Sequence, residues 1–122
     1  MSHSFLQFGS IVHHDNLPDP LGRLTGNHFA VVLSHENEIN SEDEIWVAGI
    51  STNYSPLNPE DGVFPIKDYI PGRPHPETGL SEACAVKLKE WTVLVRKADL
   101  TFEGKHISKS LGRQLQAWID RL

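Results

Sequence analysis

At 122 residues, 39% hydrophobic and 22% charged, the chain has the size and composition of one globular domain, residues 1–122, burying about two thirds of its unfolded surface. Its single cysteine, Cys84, excludes an intramolecular disulfide and a thiolate zinc cluster, and no apolar run nears the roughly 20 residues of a membrane-spanning helix. The net charge of −5 divides into −9 over residues 1–84 and +4 over residues 85–122, so most of the candidate polar groups lie in a half without the basic footprint of a simple nucleic-acid binder.

The start, Met1-Ser2-His3-Ser4-Phe5, lacks the basic and apolar pattern of a secretory signal, which sets a cytoplasmic location and no membrane partner as the expectation. Phe8–His13 reads as a first strand, ended by Asp15-Asn16-Leu17-Pro18-Asp19-Pro20, whose prolines do not fit a central strand. A polar, glycine-rich connection with Gly22, Arg23, Thr25 and Gly26 follows, expected at the surface and mobile. Phe29–Leu33 is almost wholly apolar, the pattern of a strand buried on both faces. His35–Glu44 reads as an acidic, solvated connection.

Ile45–Ile50 is a second apolar run. Paired antiparallel with Phe29–Leu33, it brings its exit, Ser51, Thr52 and Asn53, beside the other's entrance, His28. An imidazole and hydroxyls then meet at one rim of a sheet. Val63–Ile66, with Pro65, fits a short edge strand, and residues 71–79, with three prolines, fit no regular element. Ala83–Leu88 and Trp91–Arg96 read as a hairpin joined by Lys89-Glu90, with Cys84 in the core. From Ser108, a candidate N-cap, Leu111, Leu115, Trp118 and Leu122 recur at helical spacing, with Lys109, Arg113 and Arg121 facing outward. Five or six short strands and a C-terminal α-helix make a mainly β fold, expected as a small SH3-like, partly open barrel.

Seven histidines raise a metal hypothesis, but His13 and His14 point to opposite faces of a strand and the others are scattered, so no metal or cofactor is expected. Phosphate-loop, nucleophile-elbow and dinucleotide fingerprints are absent.

The order Gly9-Ser10-Ile11-Val12, Pro18-Asp19-Pro20-Leu21-Gly22, His28–Ser34 and Val47–Thr52, continued by Thr78-Gly79-Leu80, Cys84–Lys87, Leu100, Gly104 and the terminal helix, resembles the MazF/PemK family of bacterial toxins. The resemblance spans nearly the whole chain through short apolar pieces. It implies an SH3-like barrel, usually a homodimer, that cuts single-stranded RNA without a metal and is neutralised by an antitoxin protein. Attack of a ribose 2′-hydroxyl on the adjoining phosphate would leave a 2′,3′-cyclic phosphate, a step requiring a base, an acid and a group to hold the charge on phosphorus.

Carried over by position, Ser51 with Thr52 falls on the family's hydroxyl site, while its arginine-proline pair is His28-Phe29 here. Arginine offers a permanent charge and a planar fork for phosphate, and losing such a contact costs on the order of 3 kcal/mol, about a hundredfold in rate. Either His28 serves as acid or base with Arg23 as the cation, or the barrel is a non-catalytic binding module for a peptide or protein, a reading the acidic half favours. Asn53, Arg73, His75 and Lys87 are candidate RNA contacts. Trp46, Trp91 and Trp118 are large surfaces expected to be buried, in part by dimerisation.

Overall fold

The computed structural model describes residues 6–51, 62–66 and 84–121. In chain order these form β1 (Ser10–His14), β2 (His28–Val32), a short helix α1 (Glu36–Ser41), β3 (Glu44–Ser51), β4 (Val63–Pro65), β5 (Ala85–Lys87), β6 (Thr92–Arg96), a 3₁₀ turn at Lys97–Asp99, β7 (Leu100–His106) and helix α2 (Lys109–Arg121). Every pairing is antiparallel, in the order β4-β5-β3-β2-β1-β7 with β6 also on β3. Among the described residues the sheet does not close on itself. The fold is mainly β with a C-terminal helix, as expected, and the described residues hold seven strands, where five or six were expected.

The two apolar runs pair with Ala30 opposite Gly49, Val31 opposite Ala48 and Val32 opposite Val47. Side chains alternate across a strand, so this register separates two cores. Val31, Ala48 and Ile50 face α2, packing with Leu111 and Leu115. Ala30, Val32, Ile45 and Val47 face the other way, with Leu17, Val93, Val95 and Ile39. Both faces are covered from Ala30 to Val32 and from Val47 to Ile50, which explains why these stretches are apolar at successive positions, whereas Phe29, expected to be buried, is 46% exposed. β4 stands at the sheet's end and pairs with β5 alone among the described residues, as Pro65 demands. The Ser108 hydroxyl accepts the Leu111 N–H at 3.1 Å and caps α2.

Three expectations are corrected. The acidic connection holds α1, because Ile39 supplies one apolar anchor that is 1% exposed among carboxylates turned to water. Leu100–His106 forms β7 on the free edge of β1, where Gly104 at φ +82° interrupts the alternation that marks a strand. Trp46, whose burial was expected in part from a second copy, is 44% exposed in the single chain, opposite Leu94 at 43%. Finally, β5 and β6 are not a hairpin: both pair with β3, at Ile50 and Ser51 and at Glu44–Ala48 respectively.

Between these two stretches the chain leaves the edge of β3 in one tight turn, closed by the Trp91 N–H on the Lys87 carbonyl at 2.9 Å. Trp91 returns across β3, its N–H turned back and its carbonyl accepting the Gly49 N–H at 2.9 Å. The indole lies over Gly49: a Cβ there would stand 2.2 Å from the ring. Only glycine lets the ring approach so closely.

Gly49→Ala is expected to displace Trp91 and destabilise the fold by about 1–3 kcal/mol, the usual cost of overpacking. Urea unfolding checks this: the midpoint should fall at an unchanged slope.

Candidate functional site

The segment between β1 and β2 positions the first group of polar side chains. Asp19-Pro20-Leu21-Gly22 carries the residue pattern of a type I turn, with Asp first, Pro second and Gly fourth. The Gly22 N–H closes it on the Asp19 carbonyl at 2.9 Å, and Gly22 itself sits at φ +82°. Flanking bonds continue a small hairpin: Asp19 N–H to the Arg23 carbonyl at 2.8 Å, Thr25 N–H to Leu17 at 3.0 Å and Leu17 N–H to Gly26 at 2.9 Å. The connection lies at the surface, as expected, and is braced by its own hydrogen bonds.

Asp19 organises the tip. One carboxylate oxygen accepts the Leu21 and Arg23 N–H groups, each at 2.9 Å, and the other accepts the Arg23 Nε–H at 2.6 Å. Desolvation works to raise the Asp19 pKa. The bonds from the Arg23 backbone and side chain, the Leu21 bond and the Arg23 charge outweigh it, holding the carboxyl below its ordinary value of 3.8.

This hairpin is tied to the sheet by Trp91, whose Nε1–H donates to the Pro18 carbonyl at 2.9 Å. His28 completes the tie. Its ring meets the indole at 76° with centroids 4.7 Å apart, and its Nε2 lies 3.1 Å from the Thr25 carbonyl. A carbonyl only accepts, so Nε2 carries a proton.

These contacts frame an open cleft of about 280 Å³. Asp19, Arg23 and Thr25 line one side, Ser51 comes from the end of β3, Lys87 from the end of β5, and Glu90 and Trp91 from the turn between β5 and β6. Of the residues singled out in the sequence, Arg23, Ser51 and Lys87 therefore converge. His28 does not line the cleft; it stands behind two of its walls, Thr25 and Trp91. Thr52, Asn53, Arg73 and His75 lie outside the described residues. Asp19, Thr25, Glu90 and Trp91 were not singled out; the Asp-Pro-x-Gly turn was the legible signal for Asp19.

Chemically the cleft combines two cations, two carboxylates and the Ser51 and Thr25 hydroxyls beside an aromatic face. Arg23 and Asp19 are already paired. Lys87 supplies positive charge and Glu90 a proton acceptor, a set suited to binding a phosphate and moving a proton near it. Among the described residues, no three His, Cys, Asp or Glu side chains group as metal ligands, and no helix is long and apolar enough to cross a membrane. Compared with protein-family models and with characterised proteins, the chain gives no match.

Because its folded pKa is lowered, Asp19 stabilises the hairpin above its unfolded value. That contribution fades as pH falls through the folded value, below 3.8. Protection of the Leu21 and Arg23 amides, measured relative to their intrinsic exchange rates, should fall in this acid range, and Asp19→Asn should remove that pH dependence of protection while leaving the α2 amides unaffected.

Proposed function

We propose that the cleft binds single-stranded RNA and cleaves it without a metal, and that the open sheet and terminal helix are a variant of the SH3-like barrel of MazF/PemK toxins. The observation that carries this reading is the convergence of Arg23, Ser51 and Lys87, drawn from three separate parts of the chain, on one open cleft.

In the proposed reaction a 2′-hydroxyl oxygen forms a bond to phosphorus as the bond to the 5′-oxygen breaks, leaving a 2′,3′-cyclic phosphate and a free 5′-hydroxyl. Glu90 accepts the 2′-hydroxyl proton and the Lys87 ammonium gives one to the departing oxygen. Arg23 holds the non-bridging oxygens as charge builds on them, with Ser51 as a hydroxyl donor. Trp91 offers a face on which a base stacks. His28 is a positioning residue, keeping Thr25 and Trp91 in place. Such a protein acts in the cytoplasm, where an antitoxin protein would be its partner. A homodimer is in keeping with the exposed Trp46 and Leu94 pair.

A second reading, a binding module without chemistry, draws on the charge balance of the cleft: Asp19 already engages Arg23, and Glu90 faces the same space as Lys87.

RNA of mixed sequence, incubated with the protein in EDTA from about pH 5.5 to about pH 8, should yield fragments ending in cyclic phosphate. Arg23→Ala and Lys87→Ala should each slow cleavage about a hundredfold. Intact RNA throughout would leave the binding module, whose complex should persist in high salt, where phosphate contacts weaken steeply.

A further inference from the structure

A second concavity lies at the opposite end of β2 from the cleft, where the chain leaves the sheet towards α1 and where β7 passes into α2. It is a groove of about 570 Å³, within the usual range for small-molecule sites. The proposed RNA chemistry makes no use of it.

Three separated segments build its walls. Phe8 precedes β1, His35 precedes α1, and His106, Lys109 and Arg113 come from the end of β7 and the first turns of α2. The His35 wall is fixed on both sides. Its ring stacks on Phe8 with planes 1° apart and centroids at 4.7 Å, and its Nε2 meets the Gln116 side-chain oxygen at 2.8 Å. The groove thus has a rigid aromatic and amide side and a cationic side.

The charge on that second side is what calls for a ligand. In a chain of net charge −5 with only eleven lysines and arginines, Lys109 and Arg113 face one groove with His106, against a single carboxylate, Glu36. Among the described residues neither Lys109 nor Arg113 has a carboxylate within 4.0 Å, the ion pairs being His13–Asp15 and Arg23–Asp19. Spaced i, i+4 on α2, they are neighbours on the helix surface. Their mutual repulsion is relieved by an anion between them.

From this geometry we infer that the groove is a binding site for a nucleoside monophosphate. Lys109 and Arg113 take the phosphate, Arg113 through its planar fork. The base lies along the side built by Phe8 and Ile107, and the Gln7 and Gln116 side chains offer donors and acceptors to its edge. A bare anion would leave the apolar side unused. An uncharged nucleoside would leave the cations unpaired. The site is independent of the RNA-cleavage reading and needs no residue of the cleft.

Titration of the isotope-labelled protein with AMP, followed by amide NMR, tests this directly. AMP should shift the Ile107, Gly112 and Gln116 resonances saturably, adenosine and inorganic phosphate each binding at least about tenfold more weakly. Arg113→Glu should weaken AMP binding about tenfold or more, whereas Arg96→Glu, the same charge change on β6, should not. Arg113 is exposed, and an unchanged spectrum away from α2 would show that the variant is folded. No saturable shift, shifts confined to the cleft residues Arg23, Lys87 and Trp91, or equal affinity for phosphate and AMP would each overturn the assignment.

Discussion

The seat of Trp91 on Gly49 is the constraint on which the candidate site depends. One side chain touches the sheet through the glycine, the β1–β2 hairpin through the Pro18 carbonyl, and the start of β2 through His28. A buried or half-buried indole removes on the order of 150–250 Å² from water and its N–H bond adds about 1 kcal/mol. The ion pair of Arg23 with Asp19 adds little by comparison, because the guanidinium stands largely in water and the attraction is screened. The placement of Arg23 near Ser51 and Lys87 therefore follows from the indole, and the ion pair only orders the tip of the hairpin. Asp19, Pro20 and Gly22 shape that tip; Trp91 decides where it lies.

The same residue explains how Lys87 and Glu90 reach the cleft. Ile50 pairs with Val86 and Ala48 with Thr92, so two steps along β3 face six along its partner. The four additional residues form a turn that lifts Glu90 out of the sheet and brings Trp91 back over it. Had Ala83–Leu88 and Trp91–Arg96 formed the hairpin that their lengths suggest, Lys87 and Glu90 would sit at its remote tip. Pairing both with the long strand β3 hides more apolar surface, since Val86, Val93 and Val95 each enter a core.

What was legible in the sequence follows the same division. The β2–β3 pair could be read because two-sided burial leaves continuous apolar runs, and α2 because Leu111 and Leu115 recur one helical turn apart with a serine cap before them. The convergence of His28 and Ser51 on one rim followed from antiparallel pairing alone. The turn at residues 88–90 was not legible: Lys89-Glu90 is as compatible with a hairpin as with an excursion, and the choice is made by Gly49, about forty residues away in the chain. Nor was α1, where one buried isoleucine among acidic residues carries too weak a periodicity. The surroundings of His28 were not legible for a related reason. Its neighbours in space, Trp91 and the Thr25 carbonyl, are set by the tertiary fold, and they turn a rim histidine into a brace behind the wall.

The charge balance of the cleft bears on how phosphate would enter it. Arg23 carries the charge that the resemblance leads one to seek at position 28, from five residues earlier, and it is held by Asp19. That hold is an advantage for an anion. Asp19 keeps the Leu21 and Arg23 N–H bonds on one oxygen when the guanidinium turns away, so the tip of the hairpin holds its shape. The cost is that of one solvent-screened pair, against charge-assisted bonds to phosphate that are roughly twice as strong as neutral ones. A paired arginine on a braced hairpin thus stays oriented on its own and, under the proposed reading, turns towards the phosphate, which reconciles a nearly neutral cleft with the anionic ligand proposed for it.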